Sequence, residues 1–326
     1  MKLSIVIYSS NNLVEIKSVI STVFSTREKE VEVLVIDESR DSTVDNLFEV
    51  FPKQIASGRL KIVSYSKISS AKSRIEALRH ITGKHVLYIY GSDRIKKSFL
   101  EKMLITIDTL SPEIIEFDVE HIGNVKMNYH IPELKPNVLH SVQQTPSIVA
   151  QTSPFLYTKI FKTQFLKNNS NILDVDMNYD SYFSYLIVTM ATKYIYVDIK
   201  GIRIKVNITE DTIYNLYRQW DYILRYFRVY TNYSVSRPYI EYSFLNFVYG
   251  IFIPLLESIS IESFDKLLWV DLILDKILKN FPDYESNVYL QQDSKLKKLI
   301  KSNNPNKKIK HSREFFKKLD KDKNEN

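Results

Sequence analysis

The regular alternation of buried strands with amphipathic helices over residues 1–100 narrows the possible folds more than any other feature of this chain. Leu3 to Tyr8 is a short apolar, β-branched run, and the turn-forming Ser9-Ser10-Asn11-Asn12 follows it. Leu13 to Phe24 sets Leu13, Ile16, Val19, Ile20 and Val23 at the 3.6-residue period of a helix with one buried face. Val31 to Ile36 reads as a second strand, Thr43 to Phe51 as a second helix and Leu60 to Tyr65 as a third strand. A helix capped by Ser69 or Ser70 runs to about Ile81, where Thr82-Gly83 stops it, and Val86 to Tyr90 is a fourth strand. This order predicts an α/β fold: a doubly wound, mostly parallel sheet with helices on both faces.

Further along, the pattern loosens. Phe99 to Leu110 predicts a helix and Glu113 to Val119 a strand, while Gly123 to Thr152 holds three prolines and reads as loop with short strands. Lys159 to Leu166 and Tyr182 to Met190 read as helices, and Tyr194 to Val206 alternates like a strand or hairpin. From Asp211 the chain is helical and aromatic, with one stripe at Leu216, Trp220, Ile223, Leu224 and Phe227 and another at Phe264, Leu267, Leu268, Leu274, Ile277 and Leu278. The expected organisation is an α/β domain over residues 1–208 (a nucleotide-binding half, 1–100, and an acceptor half, 101–208). A C-terminal helical region over 209–301 and a basic, partly disordered tail over 302–326 follow.

Cysteine is absent, which excludes disulfides, thiolate metal sites and a cysteine nucleophile. The apolar start is too short for a secretory signal, and Phe244 to Leu256, interrupted by Asn246 and Pro254, is too short to span a bilayer. The sequence reading is therefore a cytoplasmic protein. The net charge of +7 is uneven: Lys295 to Lys318 carries ten Lys/Arg against the single acid Glu314. That segment is a solvated end, a patch for an anionic membrane surface or a grip on an anionic polymer. No nucleic-acid motif accompanies it, so nucleic acid is not an expected partner.

Ligands of a doubly wound sheet sit beyond the carboxyl ends of its strands. Three turns fall there: Ser9 to Asn12, Asp37 to Asp41 and Tyr90 to Asp93. A carboxylate just past a strand can accept hydrogen bonds from a ribose hydroxyl or a base N–H; it can equally cap the helix that follows.

These turns resemble family 2 glycosyltransferases of the GT-A fold. Ser4-Ile5-Val6-Ile7-Tyr8-Ser9-Ser10-Asn11 resembles the family's opening strand, with Asn11 on its usual asparagine and Tyr8 in place of proline. Val35-Ile36-Asp37-Glu38-Ser39-Arg40-Asp41-Ser42-Thr43 resembles the acidic turn that holds the nucleoside, one residue short. Ser73-Arg74, with Gly83 nine residues on, resembles the helix whose arginine braces the nucleotide, although Ile75 and Ala77 replace the usual asparagine and glycine. The resemblance implies a nucleotide-sugar donor held by Ser9, Asn11, Asp37, Asp41 and Arg74.

The fourth strand departs from the family. Its Asp-x-Asp, which carries Mg²⁺ or Mn²⁺ on the leaving diphosphate, aligns with Tyr90 and Ser92, and Asp93 comes next. Asp93, aided by Ser92, is the remaining candidate for a metal or the diphosphate, with Lys72, Arg94 and Arg74 as cationic substitutes. Downstream, Tyr157 to Leu166 resembles the segment after the acceptor loop, and Tyr179-Asp180-Ser181-Tyr182-Phe183 resembles the family's Glu-Asp-x-x-Phe. The acid of that motif is the general base, which makes Asp180 the candidate here, with Asp174 and Asp176 nearby; its other reading is a helix cap. His80 and His85 read as solvated or core-edge residues. The overall plan is similar to glycosyltransferase-like proteins encoded among staphylococcal teichoic-acid genes. It implies an inverting transfer to an envelope glycan or teichoic-acid-type acceptor at the inner membrane face, or a non-catalytic relative that binds or scaffolds there.

Overall fold

The computed structural model describes residues 1–26, 29–66, 68, 70–122, 134–169, 180–206, 209–260 and 262–302. The described residues form two compact units, one within 1–122, 134–148 and 152–206, the other within 149–151 and 209–302.

The first unit is built on strands β1 (Leu3–Ser9), β2 (Val31–Asp37), β3 (Leu60–Ser64), β4 (His85–Tyr90), β5 (Arg94–Ile95), β6 (Ile114–Ile122), β7 (Leu139–His140), β8 (Lys159–Lys162) and β9 (Tyr194–Lys205). Among the described residues they make one sheet in the order β3-β2-β1-β4-β8-β6-β9-β5, with β7 also on β9. The first four strands are parallel, as is the β6–β9 pair, so β1, β2, β4, β6 and β9 all end at the same edge. Strand β8 runs against both β4 and β6. This strand corrects the helix expected from Lys159 to Leu166: Lys159-Ile160-Phe161-Lys162 is extended, and the helix begins only at Thr163. A strand flanked on both sides needs buried residues in succession, and Lys159, Ile160 and Phe161 are all buried.

Helices α1 (Leu13–Phe24) and α5 (Lys97–Leu110) cover one face. The α1 periodicity holds, with Ile16, Val19, Ile20 and Val23 buried against Leu3, Ile5 and Ile7 of β1. Helices α2 (Thr43–Val50), α3 (Pro52–Ala56) and α4 (Ser70–His80) lie between β2 and β4 in the chain, and α6 (Thr163–Asn168) and α7 (Asp180–Thr189) follow β8.

A carboxylate anchors the sheet at the edge away from the strand ends. Glu32 accepts from Ser4 Oγ (2.6 Å), Gly83 N (3.0 Å), Thr82 Oγ1 (3.0 Å), the Thr82 amide and Lys61 Nζ (3.1 Å). Gly83 is required by this approach: a Cβ there would sit 2.5 Å from Ser4 N and 2.8 Å from Leu3 C. Burial alone would raise the Glu32 carboxyl, but the hydrogen bonds from Ser4, Thr82 and Lys61 hold it below its ordinary value. A lowered carboxyl stabilises the fold above its unfolded pKa, about 4.3, and that contribution disappears as pH falls through the folded value. Urea midpoints of the parent should therefore fall steeply below about pH 4.3, and Glu32→Gln should be less stable at pH 7 and lose less on acidification. Parallel pH profiles for the two proteins would rule this out.

The second unit is helical: α8 (Glu210–Tyr230), α9 (Tyr233–Phe247), α10 (Ile253–Ser258), α11 (Ser263–Asn280), α12 (Val288–Gln292) and α13 (Ser294–Ser302). Trp220 packs on Phe244 and Phe247, with ring centroids 4.7 and 5.3 Å apart, so the aromatic stripe of α8 is core. A π-helical turn, Val248–Phe252, joins α9 to α10, and Pro254 falls in the first turn of α10. The apolar run is thereby longer than the Phe244–Leu256 stretch read from sequence. Tyr233–Ser258 is 26 residues of helix, long and apolar enough to cross a membrane, although 89% of its most apolar window is buried in the protein.

Candidate active site

Strands β1 and β2 end side by side, with Ser9 opposite Asp37, and their two following turns are laced together. Asn11 adopts φ 50°, a left-handed conformation that asparagine tolerates better than most residues. In that pose its side-chain oxygen accepts from Arg40 N (2.9 Å) and its amide donates to Ser39 Oγ (2.8 Å). Ser39 in turn donates through its amide and hydroxyl to the two oxygens of Asp37, at 3.0 and 2.7 Å. Asp37 is buried, and its carboxylate keeps lone pairs beyond those two bonds. Ser9 Oγ donates to Asn12 Oδ1 (2.9 Å). The result is a fixed polar rim over the ends of two parallel strands. Ser39, the residue that connects Asp37 to Asn11, was missed in the sequence; its position in the acidic turn was the available signal.

Asp41 lies apart from this rim in its bonding. Its Oδ1 accepts from Thr43 N and Thr43 Oγ1, at 3.0 and 2.5 Å, and these bonds hold its exposed carboxyl below the ordinary value. It orders the start of α2, the capping alternative for turn acids.

Arg74 of α4 is buried, its guanidinium carbon 5.6 Å from the Phe183 ring centroid of α7. Its charge also acts on the buried Tyr88 phenol, which burial pushes up and Arg74 pulls back. Tyr88 stacks on Tyr8 at 6.3 Å, and Tyr8 meets Tyr90 at 5.7 Å. Tyr8 and Tyr90 are register partners on adjacent strands, which accounts for the contact between their rings.

The turn after β4 is closed by Asp93. This carboxylate is fully buried and accepts from Tyr90 N (2.8 Å) with one oxygen and from Lys205 N (3.3 Å) with the other. Burial pushes its carboxyl up to about 7, against the pull of those amides and of Arg94. A buried carboxyl with each oxygen already bonded to a backbone amide does not fit a hard divalent cation, and the neighbouring Tyr90 and Ser92 add no carboxylate. Among the described residues no three acids or histidines come together as a metal site. His85 is buried with Nε2 2.8 Å from Pro112 O, and His80 pairs with Glu76. Lys72 is exposed on α4.

Asp180 opens α7, but its side chain, like Asp174 and Asp176, lies outside the described residues. Phe183 one turn on faces Arg74, so α7 approaches α4 there.

No family model and no curated protein matches the chain. Similar solved structures include S. aureus TarS, at TM-score 0.62 and 18% identity over 87% of this chain and 50% of that one. S. aureus TarS 1–349 in complex with UDP-GlcNAc gives 0.63 and 15%, covering 98% of this chain and 92% of that one. The same fragment in complex with UDP gives 0.63 and 16% with the same coverage. The chain thus spans about half the length of the longer TarS chain and nearly all of the fragment. The fold is that of the GT-A glycosyltransferases, followed by a C-terminal helical region.

Proposed function

We propose that the protein is an inverting glycosyltransferase that takes a sugar from a nucleoside diphosphate, with uridine as the base. Its acceptor would be a hydroxyl of an envelope glycan or teichoic-acid-type polymer. The observation that carries this reading is the Asn11–Ser39–Asp37 lacing at the adjacent ends of β1 and β2. It fixes one buried carboxylate where a ribose or base would present its donors. The likeness to TarS, solved with UDP-GlcNAc and UDP, supports the donor.

In the reaction the acceptor oxygen attacks the anomeric carbon as the bond from that carbon to the diphosphate oxygen breaks. UDP leaves with the bonding electrons, and Asp180 takes the acceptor's proton. Ser9, Asn11, Asp37 and Arg74 hold the nucleoside end, and Asp41 shapes the turn. The exposed lysines 295, 298 and 301 of α13, whose Leu296 and Ile300 are buried, give a basic face suited to the inner membrane surface. Residues 303–326 lie outside the described residues.

Calorimetry with uridine and UDP tests the reading. UDP is expected to bind, and Asp37→Ala is expected to weaken both ligands by about 10- to 100-fold, the loss of a charged hydrogen bond. The inward turn of Asp93 favours the second reading, a non-catalytic binding or scaffolding relative. UDP binding without transfer to any envelope acceptor would select it; no binding of any nucleotide would sink the enzyme.

A further inference from the structure

Pairing of β5 with β9 gathers cations that lie a hundred residues apart in the chain. The strands run antiparallel with Arg94 opposite Arg203 and Ile95 opposite Ile202. Ile95, Ile202 and Ile204 belong to the buried core, so strand alternation turns Arg94, Arg203 and Lys205 to the other face, where all three are exposed. Like charges directly opposite each other are unfavourable, and such a face needs counter-charge. Arg203 has one: its Nε donates to Glu120 Oε2 at 2.8 Å. That contact first, with Lys96 and Lys200 adding their fields, holds the Glu120 carboxyl below its ordinary value. Lys96 is occupied, donating to Lys200 O at 3.0 Å. Arg94 and Lys205 have no salt-bridge partner among the described residues; Arg94 makes a long contact to Asp93 O, at 3.5 Å, and its charge acts on the buried Asp93 carboxyl.

These two cations flank the turn where the family's metal would sit. Arg94 follows Asp93 in the chain, and the Lys205 amide donates to Asp93 Oδ1. The turn itself continues β4, the neighbour of β1, whose end carries the nucleoside rim. A diphosphate extending from a ribose held at β1 and β2 reaches β4 next. The metal carboxylates of that turn are a tyrosine and a serine, and its one acid faces inward.

We infer that Arg94 and Lys205 bind the donor's diphosphate in place of a divalent cation. This rests on the nucleotide-sugar reading above and assigns the end of that site left without carboxylates. An arginine fork and a lysine point charge suit two linked phosphates and supply charge that need not be imported with the substrate.

The test compares uridine with UDP by calorimetry on the full chain, in EDTA and in Mn²⁺ or Mg²⁺. UDP should bind in EDTA with an affinity that either metal changes less than threefold. Arg94→Ala with Lys205→Ala should weaken UDP at least 30-fold and leave uridine unchanged. Lys96→Ala, on the same ladder but bonded to backbone, should leave both unchanged. Lys205→Arg should retain most UDP affinity, and melting curves of all variants should overlay, since the replaced side chains are exposed. Tenfold or greater tightening of UDP by metal, or UDP binding indifferent to the double substitution, overturns this inference while uridine binding keeps the parent reading intact. Failure of the parent protein to bind even uridine overturns both.

Discussion

Lys159→Met is expected to lower the unfolding free energy of the first unit by about 3–5 kcal/mol, the usual cost of breaking a fully buried ion pair from one side. Lys159 opens β8 and is the register partner of Glu116 on β6; both side chains are wholly buried and 3.4 Å apart. Burial pushes the lysine amine down, and Glu116 pulls it back up. The pair is also a hub. Lys159 Nζ donates to Ser153 O, Phe155 O and Thr158 Oγ1, while Glu116 accepts from Thr152 Oγ1, Ser153 N and Tyr194 Oη. Methionine fills the volume but leaves the carboxylate uncompensated and three acceptors without their donor. Adding Glu116→Gln should recover part of the loss, because a neutral amide needs no counter-charge, and with its oxygen in the Oε1 position it still accepts from Ser153 N while its NH2 can donate to the Tyr194 hydroxyl. Urea denaturation followed by near-ultraviolet circular dichroism reads both effects. A loss under about 1 kcal/mol, the range of exposed pairs, would show that the pair is not buried in solution.

That hub also shows where sequence reading stops. The α1 stripe and the first four strands were legible because their signals are local: a period of 3.6, a β-branched run, a turn. Lys159 was not, since a lysine beginning a short run looks like helix until a glutamate 43 positions earlier is known to lie beside it. The site divides in the same way. Asp37, Asn11 and Arg74 could be named because the turn and helix that carry them are contiguous motifs. The inward pose of Asp93 depends on the amide of Lys205, 112 residues away. The basic face of Arg94, Arg203 and Lys205 is created by strand pairing alone, and counting charge along the chain had credited only the C-terminal segment. Asn246 and Pro254 looked like breaks in an apolar run; Asn246 lies inside α9, Pro254 in the first turn of α10, and a π-helical turn joins the two helices.

Asp180→Asn is expected to lower the rate of sugar transfer by about 10²- to 10⁴-fold, the usual contribution of a general base, and to leave UDP affinity within about twofold, since the base serves the acceptor. The substitution separates the two roles open to this residue. Asparagine caps a helix about as well as aspartate does, so a residue that only begins α7 would tolerate the change, with stability moved by less than about 1 kcal/mol through the lost dipole interaction. A base would not, because an amide cannot accept the acceptor's proton. Asp180→Glu, which keeps the carboxylate but shifts it by a methylene, should fall between parent and asparagine variant. Initial rates on a true acceptor, with UDP release followed in parallel, measure all three proteins. If Asp180→Asn retains transfer at more than about a tenth of the parent rate, a loss of under 1.4 kcal/mol, proton abstraction belongs to another group.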